Sequence, residues 1–146
     1  MRPTEKLEKN KILVHVDGGS RGNPGPSAIG VVIEYNGQQK TYSQETGVGT
    51  NNQAEYKAII FALKKIKQLL GKEKIKESYV EVHSDSELLV EQVSGFYKIK
   101  EPEIQKLFLE FWNLRTEFKS VLVIHVPRDK NKLADKLVNQ ALDTLL

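Results

Sequence analysis

The stretch KILVHVDGGSRGNPGPSAIGVVIEYNG, residues 11–37, places two apolar, β-branched segments on either side of a glycine- and proline-rich loop. The first segment, Lys11–Asp17, is short and stops at two consecutive glycines, so it predicts a buried strand. Ala28–Tyr35 predicts a second strand, and the Asn-Gly dipeptide that follows is typical of a tight hairpin. Residues 38–47 predict the returning edge strand of an antiparallel meander.

Beyond this meander, the chain alternates between helical and strand-like patterns. Apolar residues recur at three- and four-residue spacing after Thr50, which predicts an amphipathic helix that Gly71 ends. Leu69 in this helix and Trp112 further along fall at core spacing. Strands are also predicted at 79–85 and 121–126, and helices at 86–94, 101–118 and 131–146. A meander followed by strand–helix units is typical of an α/β fold, with helices packed against a mixed sheet.

The composition describes an ordinary globular chain. Its 146 residues are 39% hydrophobic and 28% charged, and suit one domain. Residues 1–10 are polar and without period, so we expect a flexible tail before a single domain over residues 11–146. The absence of cysteine excludes disulfide scaffolds, thiolate zinc sites and cysteine nucleophiles.

Two patterns bear on location and partners. No apolar run approaches about 18 residues, so no membrane span is predicted, and the N-terminus lacks the apolar core of a secretory signal. We therefore expect a cytoplasmic protein. The net charge of +3 permits a polyanionic partner without requiring one. The densest basic run, six lysines within residues 64–76, predicts a solvated surface, with a nucleic-acid contact as the alternative.

Four acidic residues occupy positions where the pattern predicts inward-facing or sheet-rim side chains. Asp17 and Asp85 each end an apolar strand, and the carboxyl ends of parallel strands are where ligand sites form. Glu55 is predicted in the first turn of the long helix, on its apolar face because Ile59 follows four residues later. Asp135 is predicted in the first turn of the last helix, also on the inner face.

Each acid also has an ordinary structural explanation. Asp17 can be a turn residue before the glycines, and Asp85 can cap the helix after it. Glu55 and Asp135 can complement the positive ends of their helices. A cluster of all four would require a compensating cation, and oxygen ligands without histidine or cysteine favour Mg²⁺ or Mn²⁺. Two such ions about 3.5–4 Å apart suit phosphoryl chemistry.

Four blocks of the chain resemble the signature blocks of type 1 ribonuclease H, in the family's order. These blocks are VDGGSRGNPGPSAIGVVI (16–33), TNNQAEYKAIIFAL (50–63), SDSELL (84–89) and HVPRDKNKLADKLVNQAL (125–142). The resemblance extends from about residue 11 to the C-terminus. It implies a ribonuclease H-like fold, with a five-stranded mixed sheet flanked by helices.

The resemblance also implies an activity: two-metal-ion cleavage of the RNA strand of RNA–DNA hybrids, which leaves 5′-phosphate and 3′-hydroxyl ends. The family's catalytic and metal-binding acids match Asp17, Glu55, Asp85 and Asp135. By this match, Asp17 bridges two Mg²⁺ ions, for which Mn²⁺ can substitute. Asp135 holds the ion that activates water, and Glu55 and Asp85 hold the ion at the leaving oxygen.

Substrate contacts are implied at four further positions. Asn23, Asn51 and Asn52 match residues that contact the minor groove of the hybrid, where side-chain amides can read ribose 2′-hydroxyls. Thr50 matches a residue that binds a phosphate of the DNA strand. The alternatives are helix capping for Thr50 and Asn51, and a plain turn for Asn23.

The sequence departs from the family pattern in two places. Many members carry a histidine on the loop before the last helix, whereas Pro127–Lys130 has none, and His125 is predicted to belong to the strand. Some members carry a basic insertion, whereas residues 95–101 run almost directly into the next helix. With Lys98 and Lys100 alone there, we expect weak, strongly salt-dependent binding of the hybrid.

Other functions remain open from the sequence. The glycines of residues 19–25 have the wrong spacing for a dinucleotide fingerprint and lead into a strand, so no nucleotide cofactor is expected. Another nuclease of the same superfamily, and an inactive or weakly active hybrid-binding module, are the alternatives to a hybrid ribonuclease. We expect a monomer.

Overall fold

The apolar strand patterns form one sheet in the computed structural model, which describes residues 10–145. The sheet has five strands in the order β3-β2-β1-β4-β5. Their bounds are β1 (Lys11–Ser20), β2 (Gly25–Tyr35), β3 (Gln38–Gly49), β4 (Tyr79–Ser84) and β5 (Ser120–His125). β1, β2 and β3 pair antiparallel, whereas β1, β4 and β5 pair parallel. The predicted mixed sheet is confirmed.

Within residues 10–145, five helices flank the sheet. They are α1 (Asn51–Leu70), α2 (Lys72–Ile75), α3 (Glu87–Val93), α4 (Pro102–Arg115) and α5 (Lys132–Asp143), and a 3₁₀ turn (Arg128–Lys130) precedes α5. Thr50 caps α1 through a reciprocal pair of bonds with Gln53, which satisfies two free N–H groups. α1 and α4 cover one face of the sheet and bury the main apolar core. α5 covers the other face through a smaller cluster around Ala28 and Val138.

Two glycines allow helices to approach the sheet closely beside Asp17. A Cβ on Gly18 would lie 2.3 Å from the carbonyl of Ala54 in α1. A Cβ on Gly30 would lie 2.1 Å from the carbonyl oxygen of Ala134 in α5, and Gly30 is the register partner of Asp17. No real side chain fits such gaps, so glycine sets the positions of both helices relative to Asp17.

Several predicted details are wrong. The connector after α1 contains a helical turn, α2, and the helix predicted at 101–118 is shorter at both ends. Leu69 is 44% exposed and Trp112 is 45% exposed, although their spacing predicted core positions. Trp112 stacks on Phe108 at 6.0 Å and lies beneath the Arg115 guanidinium. Helical spacing defines a stripe, and residues at the stripe's margin stay exposed where no neighbour covers them.

Residues 1–9 lie outside the described residues, so the tail over 1–10 and the domain bounds stay predictions. Among the helices within residues 10–145, none combines the length and apolar composition that crossing a bilayer requires.

Candidate active site

Asp17 and Asp85 lie side by side at one end of two neighbouring parallel strands. The register pairs Val16 of β1 with Ser84 of β4, so the next residue of each chain segment is one of these acids. Asp17 lies within β1, not in a turn, and is only 7% exposed. Asp85 does not cap α3, because the Ser86 side chain accepts the capping bond from Leu89 N–H. The structure therefore excludes the turn explanation for Asp17 and the helix-cap explanation for Asp85.

Glu55 reaches Asp17 from α1. It is the fifth residue of that helix, beyond the first turn in which it was predicted, so the helix-terminus explanation is also wrong. Its Oε1 accepts a 2.6 Å bond from the backbone N–H of Gly18, the residue after Asp17. Its Oε2 is buried without a hydrogen-bond partner. An unpaired buried carboxylate oxygen is costly, which indicates that this atom faces a ligand site.

Asp135 approaches from the opposite side of the sheet, in the first turn of α5 as predicted. Asn131, the residue before that helix, is buried and donates a 2.8 Å bond from Nδ2 to the carbonyl of Val16. The backbone N–H of Asp135 in turn donates to the carbonyl of Asn131. Asn131 thus joins the first turn of α5 to the residue immediately before Asp17.

The acids are close enough that the negative charge of one favours the protonated form of its neighbours. Carboxylate oxygens of Asp17, Glu55 and Asp85 lie within 4.8 Å of each other. Burial is the largest cause that raises the pKa of Asp17 to about 7; a hydrogen bond with Glu55 opposes this rise, and the charges of Asp85 and Asp135 add to it. Burial, followed by the charge of Asp17, raises the pKa of Glu55 well above its ordinary range.

The side chains of Arg128 and His125 lie close enough to influence Asp85. Burial raises the pKa of Asp85, whereas the Arg128 guanidinium and, more weakly, His125 lower it. His125 is the last residue of β5, so the prediction that it belongs to the strand is confirmed. His15 lies two residues before Asp17, and His83 lies two residues before Asp85. The centroids of the two imidazole rings are 5.0 Å apart.

This donor set fits divalent cations that prefer oxygen. The carboxylate oxygens of Asp17, Glu55 and Asp85 lie together, and Glu55 Oε2 has no partner within residues 10–145. The charge of Asp135 opposes the ionisation of both Asp17 and Asp85, so the acids repel one another. Mg²⁺ and Mn²⁺ take such ligands and would relieve the repulsion.

The four residues of the implied substrate contact lie around the first turn of α1. Thr50 is the N-cap, so its capping role is confirmed, whereas Asn51 is already helical. Asn51 Oδ1 accepts from Ser20 N–H at 2.9 Å, and Asn51 N–H donates to Asn23 Oδ1 at 3.0 Å. Asn52 Oδ1 is buried without a partner. These bonds join the loop after β1 to the start of α1, beside Glu55.

Asn131 is the site residue that the sequence patterns did not single out. An asparagine before a helix predicts a cap, yet its side chain makes no capping bond. Its partner, Val16, lies 115 residues earlier in the chain, so no local pattern could reveal the contact.

Comparison with known proteins agrees with this geometry. A family model described as reverse transcriptase-like matches residues 15–141. A bifunctional protein of Mycobacterium tuberculosis (strain H37Rv) is 38% identical over 136 residues, which are 91% of this chain and 36% of that protein. Ribonuclease HI of Halobacterium salinarum (strain NRC-1) is 37% identical over 91% of this chain and 65% of that enzyme. The chain thus spans little more than a third of the mycobacterial protein's length.

Solved structures give the same result. The structure of LC11-RNase H1, isolated from compost by a metagenomic approach, has a TM-score of 0.85 and 43% identity, and covers 93% of this chain and 98% of that chain. The structure of LC11-RNase H1 in complex with an RNA/DNA hybrid has a TM-score of 0.82 and 40% identity, over 92% and 98%. Between α3 and α4, residues 94–101 leave no room for a basic insertion. The chain therefore belongs to the type 1 ribonuclease H family, as a short form without that insertion.

Proposed function

We propose that the chain is a metal-dependent endonuclease that hydrolyses the RNA strand of RNA–DNA hybrids and leaves 5′-phosphate and 3′-hydroxyl ends. The observation that carries the proposal is the cluster of the Asp17, Glu55 and Asp85 carboxylates, on which the charge of Asp135 also acts, with a buried Glu55 oxygen that has no partner within the described residues. The hybrid bound to LC11-RNase H1 supports the choice of substrate.

The positions of the acids suggest how they divide two ions between them. Asp17 would be the ligand that both ions share, because its carboxyl group is influenced by all three others. Asp135 would complete one site, and Glu55 and Asp85 the other. When bound, Mg²⁺ ions, or Mn²⁺ in their place, supply an activated water and stabilise the leaving oxygen.

The chain's own residues prepare this site in two ways. Burial of Asp17 and Glu55 keeps water away from the carboxylates, so their charges act in a medium of low polarity. The Gly18 N–H bond holds Glu55 in place, and Asn131 holds the first turn of α5 against β1. The carboxylates therefore need little rearrangement when they bind cations.

The amide side chains near Ser20 supply the contacts that distinguish RNA from DNA. The oxygens of Asn23 and Asn51 are used to join the loop to α1, whereas their NH₂ groups donate to no partner within residues 10–145. We infer that these NH₂ groups, with Asn52, face ribose 2′-hydroxyls in the minor groove. The Thr50 side chain is used by its cap, so its phosphate contact would be additional to capping.

Cleavage of end-labelled RNA, paired with DNA or with RNA, tests the proposal. With Mg²⁺ or Mn²⁺, wild type should cut the RNA only in the hybrid, and chelation should stop it. Asp17→Asn should lower the rate by at least about a thousandfold, the scale for loss of a central catalytic group. Asp143→Asn is the matched control, because Asp143 is an exposed carboxylate whose ion pair within residues 10–145 is with Arg21. Light scattering should show a monomer, since all four acids come from one chain.

Each contrary result identifies an alternative. Hybrid binding without cleavage under either metal would mark an inactive binding module. Cleavage of duplex DNA or RNA at rates equal to the hybrid would mark another nuclease of the superfamily. Undiminished activity of Asp17→Asn would refute the carboxylate site.

A further inference from the structure

An apolar cavity of about 230 Å³ lies at the end of the sheet opposite the acids. Its floor consists of the buried residues Ile12, Ile33 and Ile66. Leu69 lies at its edge with 44% of its surface exposed. Asp17 comes five residues after Ile12 in β1, a distance of about 16 Å along the strand. The cavity is therefore separate from the proposed active site.

Among residues 10–145, none of those that line this cavity is acidic. Lys40 lines it directly, and the remaining polar side chains, those of Asn36 and Gln38, are neutral. Lys74 reaches over the ring of Tyr35, another lining residue, with Nζ 5.3 Å from the ring centroid. Neither lysine forms an ion pair with a carboxylate within the described part of the chain.

The same charge continues along the neighbouring surface. Lys65 of α1 lies over the ring of Tyr42, two residues after Lys40 on β3, and its recorded side-chain hydrogen bond goes to the neutral Gln68. Lys40 of β3 thus lines the cavity itself, Lys74 of α2 lies over the ring of its lining residue Tyr35, and Lys65 of α1 extends the positive charge beyond it. The field at the cavity mouth favours an anion.

We propose that this cavity binds an acidic peptide segment of another protein, with one large apolar side chain inserted and carboxylates placed on Lys40 and Lys74. The volume suits the insertion, because a cavity of about 150 Å³ already holds a benzene ring. A buried apolar anchor surrounded by charged contacts is the usual arrangement of peptide hot spots.

The apolar floor argues against two other occupants. A nucleic-acid backbone would satisfy the lysines but offers no apolar side chain to the cavity. The chain's own residues 1–9 carry Arg2, Lys6 and Lys9 against Glu5 and Glu8, so their excess of positive charge does not match the lysines. An acidic peptide with an apolar side chain can pair its carboxylates with the lysines and insert that side chain against the apolar floor.

Selection from a randomised dodecapeptide display library tests the proposal. The library is selected on the full chain, without metal or hybrid, and counter-selected on the variant Leu69→Asp. We expect enrichment of peptides in which Asp and Glu surround a Phe, Leu, Ile or Trp. A synthesised peptide from that pool, followed by fluorescence anisotropy, should bind Lys40→Glu/Lys74→Glu at least about tenfold more weakly than wild type. Lys106→Glu, an exposed lysine on α4, is the matched control and should bind normally.

Hybrid cleavage should be unchanged in Lys40→Glu/Lys74→Glu. Its thermal unfolding should match that of Lys106→Glu, which would exclude misfolding as the cause of weaker peptide binding. The proposal is overturned if no acidic pattern is enriched, or if the charge reversals leave peptide affinity unchanged. It is also overturned if oligothymidylate displaces the peptide stoichiometrically, which would assign the site to nucleic acid. Because binding is measured without metal or hybrid, these results are independent of the proposed catalysis.

Discussion

At the scale of single residues, the Asp17 carboxyl group combines burial with three acidic neighbours. The pKa of about 7 in the folded chain lies well above the ordinary value of 3.8. Between these values the folded carboxyl keeps a proton that the unfolded chain has released. Folding is therefore favoured by this group at low pH, and that contribution is lost as the pH rises through 7.

Asp17→Asn should consequently stabilise the metal-free protein at neutral pH, by up to about 4 kcal/mol relative to wild type. The variant should also show a smaller fall in unfolding free energy between about pH 4 and about pH 7. Urea unfolding across this pH range in the presence of a chelator measures both effects. Asp143→Asn should retain the wild-type slope, and an Asp17→Asn slope equal to wild type would contradict the argument.

Asn131 acts through a single buried hydrogen bond to Val16. Asn131→Ala would leave that carbonyl buried without its donor, which costs about 1–3 kcal/mol. Urea unfolding at fixed pH measures the loss. Asn139→Ala is the control on the same helix, because its exposed bond to the Asp135 carbonyl should contribute less than about 0.5 kcal/mol. Equal costs for the two variants would show that the bond to Val16 does not hold α5.

At the scale of elements, the approach of α1 to β1 sets the position of Glu55. The helix contacts the strand at Gly18, where backbone lies against backbone, and the Gly18 N–H bond to Glu55 forms at the same point. A side chain at this position would separate the two elements and break the bond. Gly18 is thus required because α1 and β1 are too close at this point for a side chain.

Gly18→Ala should therefore lower the unfolding free energy by about 3 kcal/mol, the upper end of overpacking penalties. Gly19→Ala is the matched control, because its Cβ would meet only ordinary contacts, the nearest 3.6 Å away at Val138. Thermal unfolding of both variants measures the difference. Similar stabilities would mean that α1 can shift without cost, contrary to the close contact with β1.

At the scale of the whole molecule, the segment between α3 and α4 offers few basic groups to a nucleic acid. Its eight residues, 94–101, contribute two exposed lysines, Lys98 and Lys100. We therefore expect affinity for the hybrid to depend on a small number of phosphate contacts, each of which releases counterions.

We expect KM for the hybrid to rise steeply with salt while kcat changes little, measured by steady-state cleavage over a range of KCl concentrations. Lys98→Gln/Lys100→Gln should reduce the slope of log KM against log salt by about 2, one for each phosphate contact. Lys106→Gln should leave the slope unchanged. A slope that the double substitution does not alter would place the phosphate contacts elsewhere.

The sequence by itself determined the fold class, and it singled out the four acids, whose catalytic role stays a proposal. Strands and helices are encoded by local periodicity, so β1 and α1 are recognisable from their own residues. Asp17 and Asp85 stand out because an acidic residue at the end of an apolar strand is unusual. The few neighbouring residues in the sequence are enough to show it. The amide contacts of Asn23, Asn51 and Asn52 came from resemblance, and remain proposals.

Only the tertiary structure decided how these residues act on one another. Contacts such as Gly18 with Glu55, 37 residues apart, and Val16 with Asn131, 115 apart, arise from packing. The raised pKa of Asp17 and the unpaired oxygen of Glu55 follow from burial, which depends on what every neighbouring element covers. The exposure of Leu69 beside a lysine-lined cavity has the same origin, because periodicity predicts a helix face but not what covers its margin.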